Sequence, residues 1–242
     1  GIRGLVVTGV QTCALPISHI PLILNNDGSK MSKRDTGASM TTYMEGGYLP
    51  SAVVNYLSLL GWSPKDDTEV MPVAELIERF DLPGVQRANA RFDMTKLDWQ
   101  NYEHIRALGP DDFRSQALGQ LQAAGFDTGD HDAAYIDAAI ATCTDKIKNL
   151  NDFAAYIGFY FQDEVTFDEQ AAEQALTADN MPHLAALRAA YAGLAKFDAD
   201  TLMESLKATA KAREVKNKVL VMPARVACTG SKVGPSLYHL FE

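Results

Sequence analysis

The chain has 242 residues, of which 47% are hydrophobic and 22% charged, a balance typical of globular proteins with one large domain or two small ones. Its apolar runs are far shorter than the roughly 20 residues that span a bilayer, so a membrane protein is excluded. The formal net charge of −9 argues mildly against a nucleic-acid-binding protein, although net charge does not describe where the charges lie. The three cysteines lie far apart in the sequence and form no Cys-x-x-Cys pair. This pattern fits a reducing cytoplasm and gives no indication of a metal site.

Residues 1–18 have no clear helical period and are the least typical stretch of the sequence. The segment Val7–Ile17 resembles a translated sequencing adapter joined to a coding sequence. We therefore expect residues 1–18 to be non-native and leave them out of the fold prediction. The alternative is a genuine, divergent strand and turn, while the short apolar run excludes a signal peptide.

A basic loop follows the first predicted strand. Pro21–Leu24 is a short apolar run bounded by turn residues, which predicts a buried strand. After a turn at Asn26–Gly28, the segment Lys30–Arg34 places three fixed cations and a hydroxyl within five residues, together with several free backbone amides. Cations neutralise phosphate charge and N–H donors fix its position, so this pattern suits a triphosphate. A solvated surface loop is the alternative.

Helices are predicted after this loop. The polar stretch Asp35–Glu45 predicts a loop that leads into a short helix. Apolar residues at three- and four-residue intervals in Pro50–Leu60 predict an amphipathic helix, which Gly61 ends. We expect a further helix over Pro72–Phe80 to be buried through Val73, Leu76, Ile77 and Phe80. The apolar residues near Trp99, including Trp99 itself, are expected to belong to the core.

The chain is almost wholly helical beyond the boundary at Gly109–Asp111. Three apolar stripes predict three helices before a second boundary near Phe167–Asp168, and three more helices are predicted after it. The tract Lys207–Lys218 holds five cations against one acid, and Arg87, Arg91 and Lys96 form a smaller basic group. These groups fit a nucleic-acid-binding face and an ordinary solvated helix about equally.

Several segments resemble bacterial glutamyl-tRNA synthetases. Lys30–Arg34 resembles the second signature of class I aminoacyl-tRNA synthetases, the lysine-rich loop that closes over ATP. The neighbouring segments that match this family, in chain order, are His19–Leu24, Asp27–Asp35, Gly47–Pro50, Asn55–Leu57 and Leu60–Trp62. So many matches in one order identify the chain as a member of the family.

The resemblance implies a mainly α fold, with remnant strands of the end of a class I catalytic domain, a helical stem-contact region and α-helical anticodon-binding bundles. Residues 19–109 are expected to hold the catalytic end and stem-contact region, 110–167 the first anticodon-binding subdomain, and 168–242 the second, truncated subdomain. Pro223–Gly230 resembles the family's closing motif, with Ala224 where leucine is usual. Lys146 stands where arginine is frequent and lacks its forked geometry, so we infer no base contact there.

The resemblance also implies an activity and its residues. The family activates L-glutamate with ATP, together with Mg²⁺, and transfers it to the 3′ end of tRNA. By resemblance Lys33 is the principal ATP contact and, with Lys30, the catalytic residue. Arg34 supports them, Met31 anchors the loop and Ser32 holds its shape. The expected protein is a cytoplasmic monomer that binds glutamate-accepting tRNA, and glutamine-accepting tRNA is left open.

The first class I signature, which reads His-Ile-Gly-His or close to it, is absent from the sequence. The amino-acid pocket is also absent, so we expect this polypeptide to be a fragment that forms no glutamyl-adenylate alone. A non-catalytic tRNA-binding module and a glutaminyl-type synthetase are the alternatives. Helical periodicity in the C-terminal half argues against the glutaminyl type, which reads the anticodon with β-barrels.

Overall fold

The computed structural model describes residues 20–35 and 37–241, and its fold is mainly α as predicted. The expected non-native segment, residues 1–18, lies outside the described residues. The α-helices of the described part are α1 Met40–Glu45, α2 Pro50–Leu59, α3 Val73–Arg79, α4 Met94–Arg106, α5 Pro110–Ala123, α6 Ala133–Ala141, α7 Asp152–Ile157, α8 Glu169–Ala175, α9 Met181–Ala192, α10 Ala199–Ala212, α11 Lys218–Thr229 and α12 Leu237–Phe241. Across these residues, no helix is both long and apolar enough to cross a membrane.

Two short parallel strands, β1 Ile23–Leu24 and β2 Ala90–Arg91, pair with Ile23 opposite Ala90. The prediction of a buried strand at Pro21–Leu24 was wrong in both length and burial, because β1 has two residues, both half-buried, and Leu22 is exposed. A two-residue strand in a two-stranded sheet has too little neighbouring structure to cover it. The apolar run correctly predicted an extended segment, but it did not show how much of the protein covers that segment.

Helices α2 and α4 pack together beneath the two strands. Pro50 begins α2 in the first turn, as predicted, and the Asp93 side chain caps α4 by accepting a hydrogen bond from Thr95 N at 2.9 Å. Tyr56 of α2 donates to Asp93 O at 2.9 Å, and Asp93 N donates to the Tyr56 hydroxyl at 2.6 Å. These two bonds fix the start of α4 against the middle of α2.

Helix α3 is short and mostly exposed, which corrects the predicted burial of its apolar residues. Only Leu76 is buried, in a small cluster with Trp62 and Met71, whereas Val73, Ile77 and Phe80 are exposed. The helix packs against α2, and this packing leaves Val73, Ile77 and Phe80 exposed. Trp99 on α4 is likewise 43% exposed, so its expected place in the core was also wrong.

The largest hydrophobic core crosses the boundary that was predicted at residue 109. It contains the stripes predicted for α5 and α7, including Phe113, Leu121 and Phe153, and all three are buried. It also contains Leu49 and Ala52 from the other side of that boundary. The first bundle therefore shares its core with α2, and the division at residue 109 stays a prediction.

A hydrogen-bonded joint connects the end of α1 to the segment before α7. Asn149 Nδ2 donates to Gly46 O at 2.5 Å, and Leu150 N donates to Gly47 O at 2.9 Å. Gly47 has φ of +71°, and a Cβ there would overlap the Asn149 side chain, so this close approach needs glycine. The joint positions the first bundle against the part of the chain that carries the basic loop.

Helices α8–α12 have cores of their own. One cluster includes Leu187, Leu202 and Leu220, and a smaller one joins Ala171 and Val226. At the end of α11, Gly230 adopts a left-handed conformation with φ of +73°. Its carbonyl accepts a hydrogen bond from Asp168 N at 2.9 Å, which joins the end of α11 to the start of α8.

Candidate functional site

The basic loop returns directly beside β1. Asn25 N donates to Ser29 O at 2.8 Å, and Gly28, with φ of +86°, completes the turn between them. Lys30 then bridges antiparallel to Leu24, and Met31 N donates to Ile23 O at 3.1 Å. The turn therefore fixes the start of the segment Lys30–Arg34 against the strand.

Both ends of the loop are attached to the core between α2 and α4. Met31 is half-buried and packs against the cluster that contains Tyr43 and Phe92. At the other end, the Tyr43 hydroxyl donates to Gly37 O, and burial raises the pKa of that hydroxyl, so it stays protonated at neutral pH. Gly37, with φ of +90°, lies so close to the Phe92 ring that a Cβ would overlap it.

The cations of the loop are all exposed to solvent. Within residues 20–35 and 37–241, Lys30, Lys33 and Arg34 form no ion pair. Three unpaired positive charges within five residues, on a loop attached at both ends, create a region of positive potential for a multiply charged anion. The structure thus brings together the three charged residues that the sequence predicted.

Three of the five backbone amides of the loop are engaged within the protein, so fewer are free than the sequence predicted. Met31 N bonds to the strand, Ser32 N donates to Asp35 Oδ2 at 2.7 Å, and Arg34 N donates to Ser32 Oγ at 3.2 Å. The sequence shows how many donors a loop has, but it does not show which internal acceptors engage them. An anion at this loop would therefore be bound mainly by side chains.

Asp35 is the residue that the sequence analysis did not single out. Its carboxylate also accepts from Ser32 Oγ at 3.0 Å and from Asn25 Nδ2 at 2.9 Å. The hydrogen bond from Asn25, followed by those from the backbone and side chain of Ser32, lowers the pKa of Asp35. The available signal was local, since Asp and Ser side chains three residues apart often bond to nearby backbone.

The basic tract Lys207–Lys218 spans the end of α10 and the start of α11. Its five cations are exposed, and none forms an ion pair in the described part of the chain; they are Lys207, Lys211, Arg213, Lys216 and Lys218. Lys207 and Lys211 lie one turn apart on α10, and Arg213 Nε donates to His183 Nδ1 at 3.3 Å. The tract is therefore a second region of unneutralised positive charge.

Other basic residues are engaged by acids. Lys96 Nζ lies 2.5 Å from Glu69 Oε1, and Arg106 lies 3.5 Å from Glu103 and above the Tyr102 ring. The smaller basic group predicted with Lys96 is thus partly neutralised.

Lys146 lines a cavity of about 970 Å³ between α6 and α12, and it is exposed.

Among the described residues, no group of three or more His, Cys, Asp and Glu side chains could hold a metal ion. The structure therefore offers two places for polyanions, the loop and the tract.

Two protein-family models match the chain. Residues 106–242 match the family described as anticodon binding domain, and residues 5–99 match the catalytic domain of class I tRNA synthetases (E and Q). The basic loop lies in the second of these matches, and the basic tract lies in the first.

The curated relatives to which the chain is similar include two glutamate–tRNA ligases. The glutamate–tRNA ligase of Akkermansia muciniphila is 42% identical over 93% of this chain and 50% of its own length. That of Methylacidiphilum infernorum is 36% identical over 93% of this chain and 51% of its own length. The chain therefore spans about half the length of these curated relatives.

Solved structures resemble the fold described above. A crystal structure of a glutamate tRNA ligase from Elizabethkingia meningosepticum, in complex with its amino acid, has a TM-score of 0.72 and 27% identity. That match covers 92% of this chain and 47% of the other. Glutamate-tRNA synthetase from Elizabethkingia anophelis gives a TM-score of 0.67 at 28% identity.

Proposed function

We propose a role in charging tRNA with glutamate, since the chain belongs to the glutamate–tRNA ligase family of class I tRNA synthetases. In this role the chain contributes to the ATP-dependent activation of L-glutamate and its transfer to the 3′ end of tRNA. The tRNA is the glutamate-accepting one, and the proposed protein is a cytoplasmic monomer. The observation that carries this function is the loop Lys30–Arg34, with three exposed and unpaired cations.

The loop residues divide into cations that meet the substrate and residues that hold the loop. We assign Lys33 as the principal contact to the ATP phosphates, with Lys30 and Arg34 beside it. Negative charge grows on the departing pyrophosphate when the α-phosphate is attacked, and positioned cations stabilise that charge. Met31 anchors the loop through its packing, and Ser32 holds its shape through its hydrogen bonds.

ATP is a substrate in this proposal, and the Mg²⁺ it carries is bound through its phosphates. The exposed side chains of the loop fit a polyphosphate because no acid among the described residues forms an ion pair with them. The backbone amides add little, since Met31, Ser32 and Arg34 already donate within the protein. The proposed loop therefore acts through charge and side-chain hydrogen bonds.

The test of this function is the affinity of the chain for ATP with Mg²⁺, measured by calorimetric titration. We expect Lys33→Ala to weaken binding about tenfold, because hydrogen bonds to charged groups contribute roughly 1.5–3 kcal/mol. Lys148→Ala is the matched control, since it removes one exposed lysine from outside the loop. Equal affinities for wild type and Lys33→Ala, or equal losses in both variants, would reject the assignment.

A further inference from the structure

Asp35 directly follows the three cations of the loop, yet it forms no ion pair with any of them in the described part of the chain. Its two carboxylate oxygens instead accept three hydrogen bonds from neutral donors. Ser32 N and Asn25 Nδ2 donate to Oδ2 at 2.7 and 2.9 Å, and Ser32 Oγ donates to Oδ1 at 3.0 Å. An acid in this position would otherwise be free to neutralise a neighbouring lysine or arginine.

The bonds to Asp35 extend through the loop. Ser32 Oγ, which donates to the carboxylate, also accepts from Arg34 N at 3.2 Å. Asn25 belongs to the turn that begins the loop, where its side chain also donates to Ser29 Oγ at 3.1 Å. One carboxylate thus ties the turn before the cations to the backbone that carries Lys33 and Arg34.

We propose that Asp35 is a positioning residue of the polyphosphate-binding loop. By accepting from Asn25 and Ser32 it fixes the backbone of residues 32–34 and keeps its own charge away from the cations. Lys33 and Arg34 then remain open to the phosphates of the substrate. This inference rests on the proposed function, because it explains how the loop is prepared for its anion.

Charge and geometry predict opposite results when Asp35 is removed. Loss of a negative charge beside three cations raises the local positive potential, which by itself strengthens anion binding. Loss of the bonds to Ser32 and Asn25 releases the loop, and the binding of an anion must then order it again. A weaker affinity of Asp35→Ala would therefore identify the positioning role, because the change in charge alone predicts a stronger affinity.

The probe is inorganic tripolyphosphate, titrated into the 242-residue chain and its variants. We expect Asp35→Ala to weaken binding at least fivefold. Asn25→Ala, which changes no charge, should weaken it as well, and the double variant should lose less than the product of the two factors. Asp27→Ala is the charge-matched control, because Asp27 accepts from Ser29 in the turn and, among the described residues, has no hydrogen bond to the segment Lys30–Arg34. This variant should bind tripolyphosphate as tightly as wild type or more tightly.

Amide hydrogen exchange at Ser32 and Arg34 gives a second readout in the same variants. We expect faster exchange at these two amides in Asp35→Ala and Asn25→Ala, and no change in Asp27→Ala, while amides in the middle of α2 serve as the internal reference for any general loss of stability. Asp35→Ala affinity equal to or above wild type, with unchanged exchange, would overturn the positioning role. Equal tripolyphosphate affinity of wild type and Lys33→Ala would instead reject the proposed function, and the exchange rates alone would then decide whether Asp35 fixes the loop.

Discussion

His104 is a buried histidine on α4 that hydrogen-bonds across to α2. Its Nε2 lies 2.9 Å from Asn55 Oδ1, and Met71 N donates to the same oxygen at 2.9 Å. Because the Met71 amide can only donate, this Asn55 atom is an acceptor, and His104 Nε2 must carry the proton. Burial lowers the pKa of His104, so the folded protein favours the neutral ring.

This histidine makes stability depend on pH in a defined direction. A lowered pKa in the folded state means that the unfolded chain binds the proton more readily, so the free energy of unfolding falls as pH drops below about 6.5. Above that pH the contribution is constant. Urea unfolding at pH 7.5 and 5.5 measures how much the free energy of unfolding falls between the two pH values. We expect a smaller fall in His104→Gln than in wild type, since glutamine keeps a hydrogen-bond donor but does not titrate. Equal losses in the two proteins would exclude His104 as the cause.

At the level of single residues, the sequence predicted the charged members of the loop but not their surroundings. Lys30, Lys33 and Arg34 could be identified because fixed cations in a short segment are visible in the sequence. The bonds of the Ser32 and Arg34 amides are local and had a signal in the spacing of Ser32 and Asp35, but the bond from Asn25 to Asp35 could not be predicted, since it depends on a turn that brings the chain back. Hydrogen-bond partners follow from three-dimensional proximity, which spacing alone does not give.

At the level of elements, periodicity predicted which residues share a face but not whether that face is covered. The stripe Phe113, Ala117 and Leu121 on α5 is buried as expected, because α6 and α7 pack against it. The equally regular stripe on α3 is exposed at Val73 and Ile77, although α2 packs against that helix. Burial is a property of neighbouring elements, so a helix can be predicted correctly while its core residues are not.

Two glycines on the basic loop allow the effect of backbone conformation to be separated from that of close packing. Gly28 and Gly37 both have positive φ, of +86° and +90°, but only at Gly37 would a Cβ meet another residue, the Phe92 ring. We expect Gly28→Ala to lower the free energy of unfolding by roughly 1–2 kcal/mol through backbone strain. Gly37→Ala should cost about 1–3 kcal/mol more, because the added methyl group overpacks the core.

Urea unfolding of wild type and the two alanine variants measures this difference. A similar loss in both variants would mean that the Phe92 ring moves aside at little cost. The packing of Gly37 would then not be what attaches the end of the loop to the core.

For the whole molecule, the distribution of charge matters more than its sum. The net charge of −9 alone predicts repulsion from nucleic acid. The tract Lys207–Lys218 nevertheless presents five exposed cations without acid partners among the described residues. Such a local surface can bind phosphates while the acidic remainder of the protein opposes non-specific binding.

The tract predicts how binding of glutamate-accepting tRNA depends on salt. Each phosphate contact that is lost should reduce the slope of log affinity against log salt concentration by about 1. We therefore expect Lys211→Ala and Arg213→Ala each to lower that slope, measured by filter binding over a series of salt concentrations. Running glutamine-accepting tRNA in parallel tests whether the chain discriminates between the two.

Lys196→Ala provides the control for this measurement. It removes a lysine from the same bundle, but one that is paired with Asp198. It should leave the salt slope unchanged. If Lys211→Ala and Arg213→Ala also leave the slope unchanged, the tract is a solvated helix end and does not contact the tRNA backbone.

The core shared by α2 and the first bundle decides where the chain can be divided for expression. The sequence predicted a boundary at Gly109–Asp111, but a shorter protein that starts at Pro110 would lack Leu49, Ala52 and Ile105 from its core. It would expose apolar surface of the kind that promotes aggregation. A protein of residues 37–161 keeps both sides of that core, and the cores of helices α8–α12 consist of residues from 171 onward.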